Sequence, residues 1–236
     1  MADDERKTIG TDLGIRGLSA IVMLAVAGVA LWLGGIVWTV LVAAIGFGVI
    51  WEFGRLVRLA EEPPLERAAW ALFALFYVGL SALTLIWLRA VEDGGFWIAL
   101  IVVGLVIATD IGAYFAGRLI GGPKLMPGIS PSKTWAGLAG GMVLAALFTG
   151  AVVHFGLGDM PPVQDLWWKI VALGAGLAVV AQIGDLFESR LKRKAGVKDS
   201  SKLIPGHGGL FDRVDGLLAV LFVLGLSLLY LQLRGA

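Results

Sequence analysis

The sequence predicts an all-α fold: a polytopic integral membrane helical bundle of about seven transmembrane helices, with its N-terminus in the cytoplasm. Hydrophobic residues make up 58% of the chain and charged residues only 16%, and the mean hydropathy is +0.87. A water-soluble fold of this size lacks the interior to bury so much apolar surface. The 34 glycines and 9 tryptophans agree, because membrane helices tolerate glycine and bilayer interfaces favour tryptophan.

Seven apolar segments qualify as membrane crossings, for which a helix needs about 20 residues. None of them contains an internal proline. They are expected to be helical, because a backbone in hydrocarbon satisfies its polar groups only within a helix or a closed barrel. In chain order the segments are 17–33, 36–53, 68–88, 96–117, 135–156, 168–187 and 214–233.

The basic residues predict the orientation. With a cytoplasmic N-terminus, only Arg89, Lys169 and Arg234 of the 19 lysines and arginines lie outside, as the positive-inside rule requires. The outer loops are short, whereas two inner loops, 118–134 and 188–213, are long enough to carry chemistry. We therefore divide the chain into an N-terminal transmembrane region, 1–95, and a catalytic transmembrane region, 96–236.

Composition also narrows the chemistry. The chain has no cysteine, which excludes disulfides, thiolate metal sites and a cysteine nucleophile. Its first twelve residues are polar and acidic, so we expect no cleavable signal peptide there. The two histidines lie in different segments, which argues against a metal site built on a histidine pair.

Carboxylates near the inner helix ends are candidates for function, because ionisable groups in membrane helices are costly and usually functional. Asp110, Tyr114 and Arg118 follow one another at four-residue spacing and so share one helix face. Asp185 and Ser189 repeat that spacing. Each carboxylate has the alternative of only pairing with a neighbouring base, and Glu52 is expected to do no more than cap a helix or pair with a nearby arginine.

The densest polar cluster is loop 188–213 with the helix start that follows it. Its lysines and arginines suit anionic headgroups or phosphates, and glycines beside His207 let backbone N–H groups approach an anion. Asp212 and Asp215 share one helix face and offer the hard oxygen ligands that Mg²⁺ prefers. A loop that only enforced the membrane orientation would explain the basic residues but not the glycines or the aspartates.

The other inner loop ends in Ser-Pro-Ser-Lys-Thr-Trp-Ala-Gly at 130–137. Its hydroxyls, Lys133 and the amides of a helix start could hold a phosphate chain. The glycine spacing of a P-loop is missing, so a Walker-type NTPase is not supported. The alternative is an N-capping turn followed by one lysine that serves the topology.

The stretch 189–215 resembles the signature of the CTP:phosphatidate cytidylyltransferases, also called CDP-diacylglycerol synthases. Segments 110–118, 130–137 and 184–189 are similar to what that family carries upstream, so the resemblance covers about 107–216. The family often has more spans at its N-terminal end than the three predicted here. The thirteen matching positions of the signature are Ser189, Leu191, Lys192, Arg193, Lys198, Asp199, Pro205, His207, Gly208, Gly209, Asp212, Arg213 and Asp215.

The resemblance implies a reaction of CTP with phosphatidate that gives CDP-diacylglycerol and pyrophosphate, with Mg²⁺ as cofactor. We expect Asp185 and Asp212 to hold Mg²⁺, in a site for one or two cations, and Asp215 to support them. Both substrates are anionic, so catalysis is mainly positioning and charge neutralisation. No dedicated base is needed, because the attacking phosphate is already ionised at neutral pH.

The candidate residues divide by expected role. The catalytic set is Asp185, Asp212, Asp215, Lys198, Arg213 and His207, with His207 as an orienting donor. The group expected to grip the CTP phosphates is Ser130, Ser132 and Lys133, in a pocket also lined by Asp110 and Arg118. The group expected to receive the phosphatidate headgroup is Lys192, Arg193, Lys198 and Arg213. Further substrate-binding candidates are Tyr114, Ser189, Asp199, Gly208 and Gly209.

Three other functions compete with this interpretation. Another CTP-using membrane enzyme, such as a lipid or polyprenol kinase or a cytidylyltransferase for a different lipid, would differ in its product. A cation transporter would use Asp110, Asp185 and Asp212 as an ion path, but these lie near the inner surface and no broken-helix repeat is visible. A purely structural membrane protein leaves the glycine–aspartate cluster unexplained.

We expect a homodimer in the bacterial inner membrane, with its active site facing the cytoplasm and no nucleic-acid partner.

Overall fold

The computed structural model describes the backbone of residues 2–157 and 161–235 and the side chains of residues 17–157 and 166–235. These residues form seven α-helices and one small two-stranded sheet, so the predicted all-α membrane bundle is confirmed. Six helices are long and apolar enough to cross a membrane, whereas the described apolar part of the first helix, Gly17–Leu33, is shorter. Residues 1, 158–160 and 236, and the side chains of residues 2–16 and 161–165, lie outside the described part, so the predictions for the polar start of the chain and for part of the loop 157–167 fall there.

The elements follow one another with short connections. A π-helical turn, Val153–Leu157, extends the fifth helix. The others are α1 Ala2–Leu33, α2 Gly35–Leu59, α3 Pro64–Ala90, α4 Gly95–Leu119, β1 Lys124–Met126, β2 Ser130–Thr134, α5 Trp135–Val152, α6 Pro161–Lys194 and α7 Phe211–Leu233.

The two inner loops are more ordered than the sequence analysis predicted. Loop 118–134 contains the antiparallel hairpin β1–β2, in which Lys124 pairs with Thr134. Loop 188–213 is helical at both ends, because α6 continues to Lys194 and α7 begins at Phe211. The basic residues at the end of α6 suit the negative end of a helix dipole, so they prolong the helix.

A Schellman motif ends α6. Gly196 has a φ of +67°, and the amides of Gly196 and Val197 donate to the carbonyls of Arg193 and Lys192. This pattern satisfies the last carbonyls of a helix and requires a left-handed residue, for which glycine is suited. The connection to α7 is therefore a compact segment, residues 195–210.

Helices α4 and α5 touch backbone to backbone. A β-carbon added at Gly112 would lie 2.4 Å from the carbonyl oxygen of Gly140, so only glycine permits this approach. Small residues drive such packing in membranes, where helices gain little from burying apolar surface against each other. The contact fixes the inner end of α4 beside the start of α5.

Two buried clusters join the helices of residues 1–95 to the helices of residues 96–236. One contains Val42, Leu85, Leu105 and Leu177, from four different helices. The other surrounds Phe53 of α2 and includes Phe211 of α7, whose rings stack at 5.7 Å between centroids. The start of α7 is thus packed directly against an N-terminal helix.

Contacts at the two ends of the bundle show which loops lie together. At one end, the Arg89 guanidinium donates to the carbonyls of Leu31 (2.8 Å) and Trp32 (3.2 Å). At the other, Ser19 Oγ lies 2.8 Å from His207 Nδ1. The beginning of the described apolar part of α1 is therefore on the same side as segment 195–210. That this side is cytoplasmic remains a prediction.

Candidate active site

A cavity of about 370 Å³ opens at the end of the bundle where α4 ends and α5 begins, between α4, β2, α5 and α6. Its lining brings together residues that are far apart in the chain. We call this site the open pocket and define it by six of its lining residues: Asp110, Tyr114, Arg118, Ser132, Lys133 and Asp185. All six belong to the candidate set of the sequence analysis, whereas Ser130 does not line the cavity and lies with its Oγ 3.5 Å from Ser132 Oγ.

Lys133 and Asp185 form the central ion pair of the open pocket. The Nζ of Lys133 lies 2.6 Å from Oδ2 of Asp185, and the Asp185 side chain is one-third exposed. Lys133 also donates to the Gln182 carbonyl at 3.4 Å. The end of the hairpin places Lys133 beside Asp185. The next residue, Thr134, caps α5 by accepting a hydrogen bond from the amide of Gly137 at 3.0 Å, so the position of Lys133 is tied to the start of α5.

One face of α4 forms the opposite wall. Arg118 donates to the Tyr114 hydroxyl at 3.0 Å, and its guanidinium lies 6.0 Å from the centre of the same ring. Both side chains are exposed, and Asp110 lies one turn deeper on the same face. The four-residue spacing thus places an arginine, a phenol and a carboxylate along one cavity wall.

Behind the open pocket lies an acidic group made of Asp185, Glu188 and Asp215, each with a carboxylate oxygen within 4.8 Å of the others. Glu188 is fully buried. Its Oε2 lies 2.6 Å from Lys192 Nζ, while its Oε1 is buried and accepts no hydrogen bond from any residue that the structure describes. Such an unsatisfied acceptor is costly, and a cation held by the three carboxylates would satisfy it.

This acidic group differs from the predicted metal pair in one member. Asp185 belongs to it, but Asp212 does not, and Glu188 takes part instead. The sequence analysis missed Glu188, although a carboxylate three residues after Asp185 on the same helix face was a signal that could have found it.

Asp212 lies in a second polar cluster, where its carboxylate is held from two sides. Oδ2 accepts from the backbone amides of Ser200 (2.9 Å) and Gly209 (2.8 Å) and from the Ser200 hydroxyl (2.9 Å). Oδ1 lies 2.7 Å from Lys192 Nζ. Lys192 thus bridges Asp212 and Glu188.

A residue of α2 completes this second cluster. Glu52 is fully buried and accepts from the hydroxyls of Ser200 (3.0 Å) and Ser201 (2.6 Å). It does not pair with Arg55, which donates to the Ser200 carbonyl at 2.5 Å. We call the cluster of Glu52, Lys192, Ser200, Gly209 and Asp212 the loop network.

The other candidates of the signature lie around these two sites. Arg193, Lys198 and Asp199 are exposed, and Arg213 donates to the His207 carbonyl at 2.8 Å and 3.1 Å. The remaining two positions are Ser189, whose hydroxyl donates to Asp185 Oδ1 at 3.2 Å, and Gly208, whose φ is +85°.

Comparison with known proteins identifies the family to which the chain is similar. The model of a family described as "Cytidylyltransferase family" matches residues 59–231. A phosphatidate cytidylyltransferase of Brucella melitensis is 49% identical over 150 residues, which are 64% of this chain and 53% of that protein. Proteins of the same name from Haemophilus influenzae and Mycobacterium tuberculosis are 43% identical over 125 residues and 40% identical over 127 residues.

These matches cover parts of each protein. The Haemophilus match spans 53% of this chain and 43% of the relative, and the Mycobacterium match spans 54% and 37%. The chain spans about half the length of the curated relatives it matches. The matched family segment contains the open pocket and the acidic group, but it begins only at Leu59, the last residue of α2.

Proposed function

Because this chain belongs to the cytidylyltransferase family, we propose that it transfers the cytidylyl group of CTP to phosphatidate, with Mg²⁺, and releases CDP-diacylglycerol and pyrophosphate. The relatives named phosphatidate cytidylyltransferase support the choice of substrates. The observation that carries the proposal is the open pocket, in which Lys133 and Arg118 face a cavity beside three clustered carboxylates. Cations and metal-binding oxygens side by side are what a nucleoside triphosphate requires.

The open pocket is proposed to bind the CTP phosphates. Lys133 and Arg118 neutralise negative charge, and the Ser132 hydroxyl donates a hydrogen bond. Ser130, next to Ser132 on the hairpin, is kept as a second donor. Tyr114 holds the Arg118 guanidinium at 3.0 Å, so that the cation stays over the cavity.

The acidic group fits a divalent cation. Its three carboxylates supply hard oxygen donors, which suit Mg²⁺, and the buried Glu188 Oε1 accepts no hydrogen bond from the described residues. We propose Asp185, Glu188 and Asp215 as the residues that hold the ion. Mg²⁺, when bound, offsets the charge of the triphosphate and of the leaving pyrophosphate. Asp212 is proposed to act beside it, by holding Lys192 near Glu188.

The exposed cations of the signature, Arg193, Lys198 and Arg213, are proposed to receive the phosphatidate headgroup. An oxygen of the phosphatidate monoester attacks the α-phosphorus of CTP, and the bond from that phosphorus to the bridging oxygen of the β-phosphate breaks. The attacking oxygen is already ionised, so no proton has to be removed, and pyrophosphate leaves with the bonding electrons. The residues then contribute by alignment and charge neutralisation.

The test uses purified protein in detergent–lipid micelles containing phosphatidate, Mg²⁺ and CTP labelled on either the α- or the γ-phosphate. Cytidylyl transfer places the α-label in a lipid and the γ-label in pyrophosphate. Transfer of the γ-label to lipid would instead identify a kinase. If phosphatidate is not labelled but another lipid phosphate is, phosphatidate is refuted as the substrate, while cytidylyl transfer is retained as the reaction type.

We also propose that the open pocket faces the cytoplasm of a bacterial cell and that the chain forms a homodimer in the inner membrane. Since the chain has no cysteine, single cysteines can be labelled selectively. In sealed inner-membrane vesicles of right-side-out orientation, Asp93→Cys should react with an impermeant maleimide, whereas Lys198→Cys should not. The reverse pattern would overturn the orientation, and a monomer mass in detergent would overturn the dimer.

A further inference from the structure

We propose that Glu52 of α2 is a positioning residue for the cytidylyl transfer. It fixes segment 195–210 and the start of α7, and through Ser200 it fixes the carboxylate of Asp212. The inference rests on the proposed function, and it extends the site beyond the family match, because Glu52 precedes the matched residues 59–231.

The surroundings of Glu52 are those of a buried anion that is held in one position. Each carboxylate oxygen accepts from one hydroxyl and one backbone amide: Oε1 from Ser201 Oγ (2.6 Å) and Leu210 N (2.9 Å), Oε2 from Ser200 Oγ (3.0 Å) and Phe211 N (2.6 Å). Among the described side chains no lysine or arginine forms an ion pair with it. The amides at the positive end of α7 therefore offset its charge.

The Ser200 hydroxyl connects Glu52 to Asp212. Its oxygen lies 3.0 Å from Glu52 Oε2 and 2.9 Å from Asp212 Oδ2. A hydroxyl has a single proton, so two carboxylates share one donor, and a shift of Glu52 moves the donor that Asp212 uses. Asp212 in turn holds Lys192 at 2.7 Å, and Lys192 contacts Glu188 of the acidic group at 2.6 Å.

The backbone at Gly209 shows how closely the segment lies against Glu52. A β-carbon added there would be 2.0 Å from Ser200 Oγ and 2.5 Å from Glu52 Oε1. The segment can reach the carboxylate only because this residue is glycine. Glu52 thus determines where the glycines of the signature lie, as well as how α7 begins.

The informative substitution is Glu52→Gln, which keeps the size of the side chain. Each oxygen of Glu52 accepts from a backbone amide that cannot turn away, so the glutamine NH₂ meets an N–H group in either orientation. We expect kcat to fall by on the order of 10- to 100-fold, as for a small displacement of catalytic groups, with little change in the KM for CTP. In Glu52→Gln, trypsin should also cut at the exposed Lys198 and Lys202 faster than in the unmodified chain, because segment 195–210 is held less firmly.

Two further variants separate positioning from general stability. Ser81→Ala removes another buried bond between helices, from Ser81 Oγ to the Leu218 carbonyl at 2.9 Å, and should change neither kcat nor cleavage at Lys198. Ser201→Ala removes one of the four donors to Glu52. It should lower kcat and speed tryptic cleavage less than Glu52→Gln does. This variant tests the inference if Glu52→Gln does not fold.

The inference is overturned if Glu52→Gln keeps the kcat and tryptic pattern of the unmodified chain. It is also overturned if Ser81→Ala lowers kcat as much as Glu52→Gln does when both variants lower the melting temperature by the same amount. An unmodified chain that makes no CDP-lipid would refute the proposed function alone, because the cleavage rates at Lys198 and Lys202 would still show whether Glu52 holds the segment.

Discussion

The open pocket and the loop network contain the same kinds of residue but use them differently. In the open pocket, charged and hydroxyl groups surround a cavity of about 370 Å³, and Asp185 at its centre is one-third exposed. In the loop network the carboxylates are engaged by protein donors: Glu52 accepts four hydrogen bonds, and both oxygens of Asp212 have partners. One site is open to a ligand, while the other is closed around its own segment.

This difference suggests separate functions for the two sites, substrate binding and the positioning of catalytic groups. A polar group whose bonds are all made within the protein is costly to disturb and rigidifies its surroundings. A polar group beside a cavity keeps capacity for a ligand. This contrast supports the proposal that the open pocket binds substrate and that the loop network positions the catalytic groups. Substitutions in the two sites should therefore have different effects on turnover, substrate binding and stability.

Asp212→Asn should have the largest combined effect, because it should lower both turnover and stability. The NH₂ group of the introduced asparagine must face either the Lys192 ammonium or the donors from Ser200 and Gly209. Both arrangements bring two donors together and are repulsive. We expect turnover to fall by at least roughly 10²-fold and stability by at least about 1 kcal/mol, while membrane insertion is retained. Product formation and thermal unfolding in detergent measure these effects; turnover equal to that of the unmodified chain would remove Asp212 from the mechanism.

Asp185→Asn should reduce turnover strongly but leave stability nearly unchanged. The substitution removes one carboxylate of the acidic group and the partner of Lys133, and turnover should fall by on the order of 10²- to 10³-fold. The side chain is partly exposed, so the melting temperature should stay close to that of the unmodified chain. Asp93→Asn, an exposed carboxylate at the opposite end of the bundle, is the matched control. A fall in stability as large as that of Asp212→Asn would abolish the distinction between the two sites.

Lys133→Met should act mainly on CTP binding. Methionine keeps much of the aliphatic stem but removes the charge, and a hydrogen bond to a charged group is worth about 1.5–3 kcal/mol. The KM for CTP should therefore rise by roughly 10- to 100-fold, with a smaller change in the KM for phosphatidate. Initial rates at varied concentrations of each substrate check this, and an unchanged KM for CTP would place the triphosphate elsewhere.

The smallest effect is expected at an ion pair outside both sites. The contact with Lys194 holds the pKa of Glu62 below its ordinary value of 4.5. A lowered folded-state pKa stabilises the protein above the ordinary value, and this contribution is lost as the pH falls through the folded-state pKa. Glu62→Gln should thus lower the melting temperature at neutral pH and weaken its decline in acid. The effect should be small, because the Lys194 side chain is half exposed and solvent screens its charge. A steeper decline in acid for Glu62→Gln would contradict the assignment.

Local patterns predicted much of the fold and part of the site. The helices followed from apolar length, and the shared face of Asp110, Tyr114 and Arg118 followed from helical periodicity, which depends only on neighbouring residues. The sequence analysis predicts the end of this helix too early, because a run of basic residues indicates a loop, whereas the helix dipole favours such a run at the end of a helix and α6 extends to Lys194. Glu188 was missed for the same reason, since it lay in that predicted loop.

The sequence by itself determined the membrane class, the helical architecture and the set of residues that carry the signature, because hydropathy and spacing are properties of the chain. Only the tertiary structure decided which of these residues meet. Lys133 reaches Asp185 through the hairpin, and Glu52 meets Ser201, 149 residues further along the chain, through the packing of α2 against α7. Contacts between distant residues depend on how helices pack, and that packing is set by side-chain shape at many positions at once, which no local pattern records.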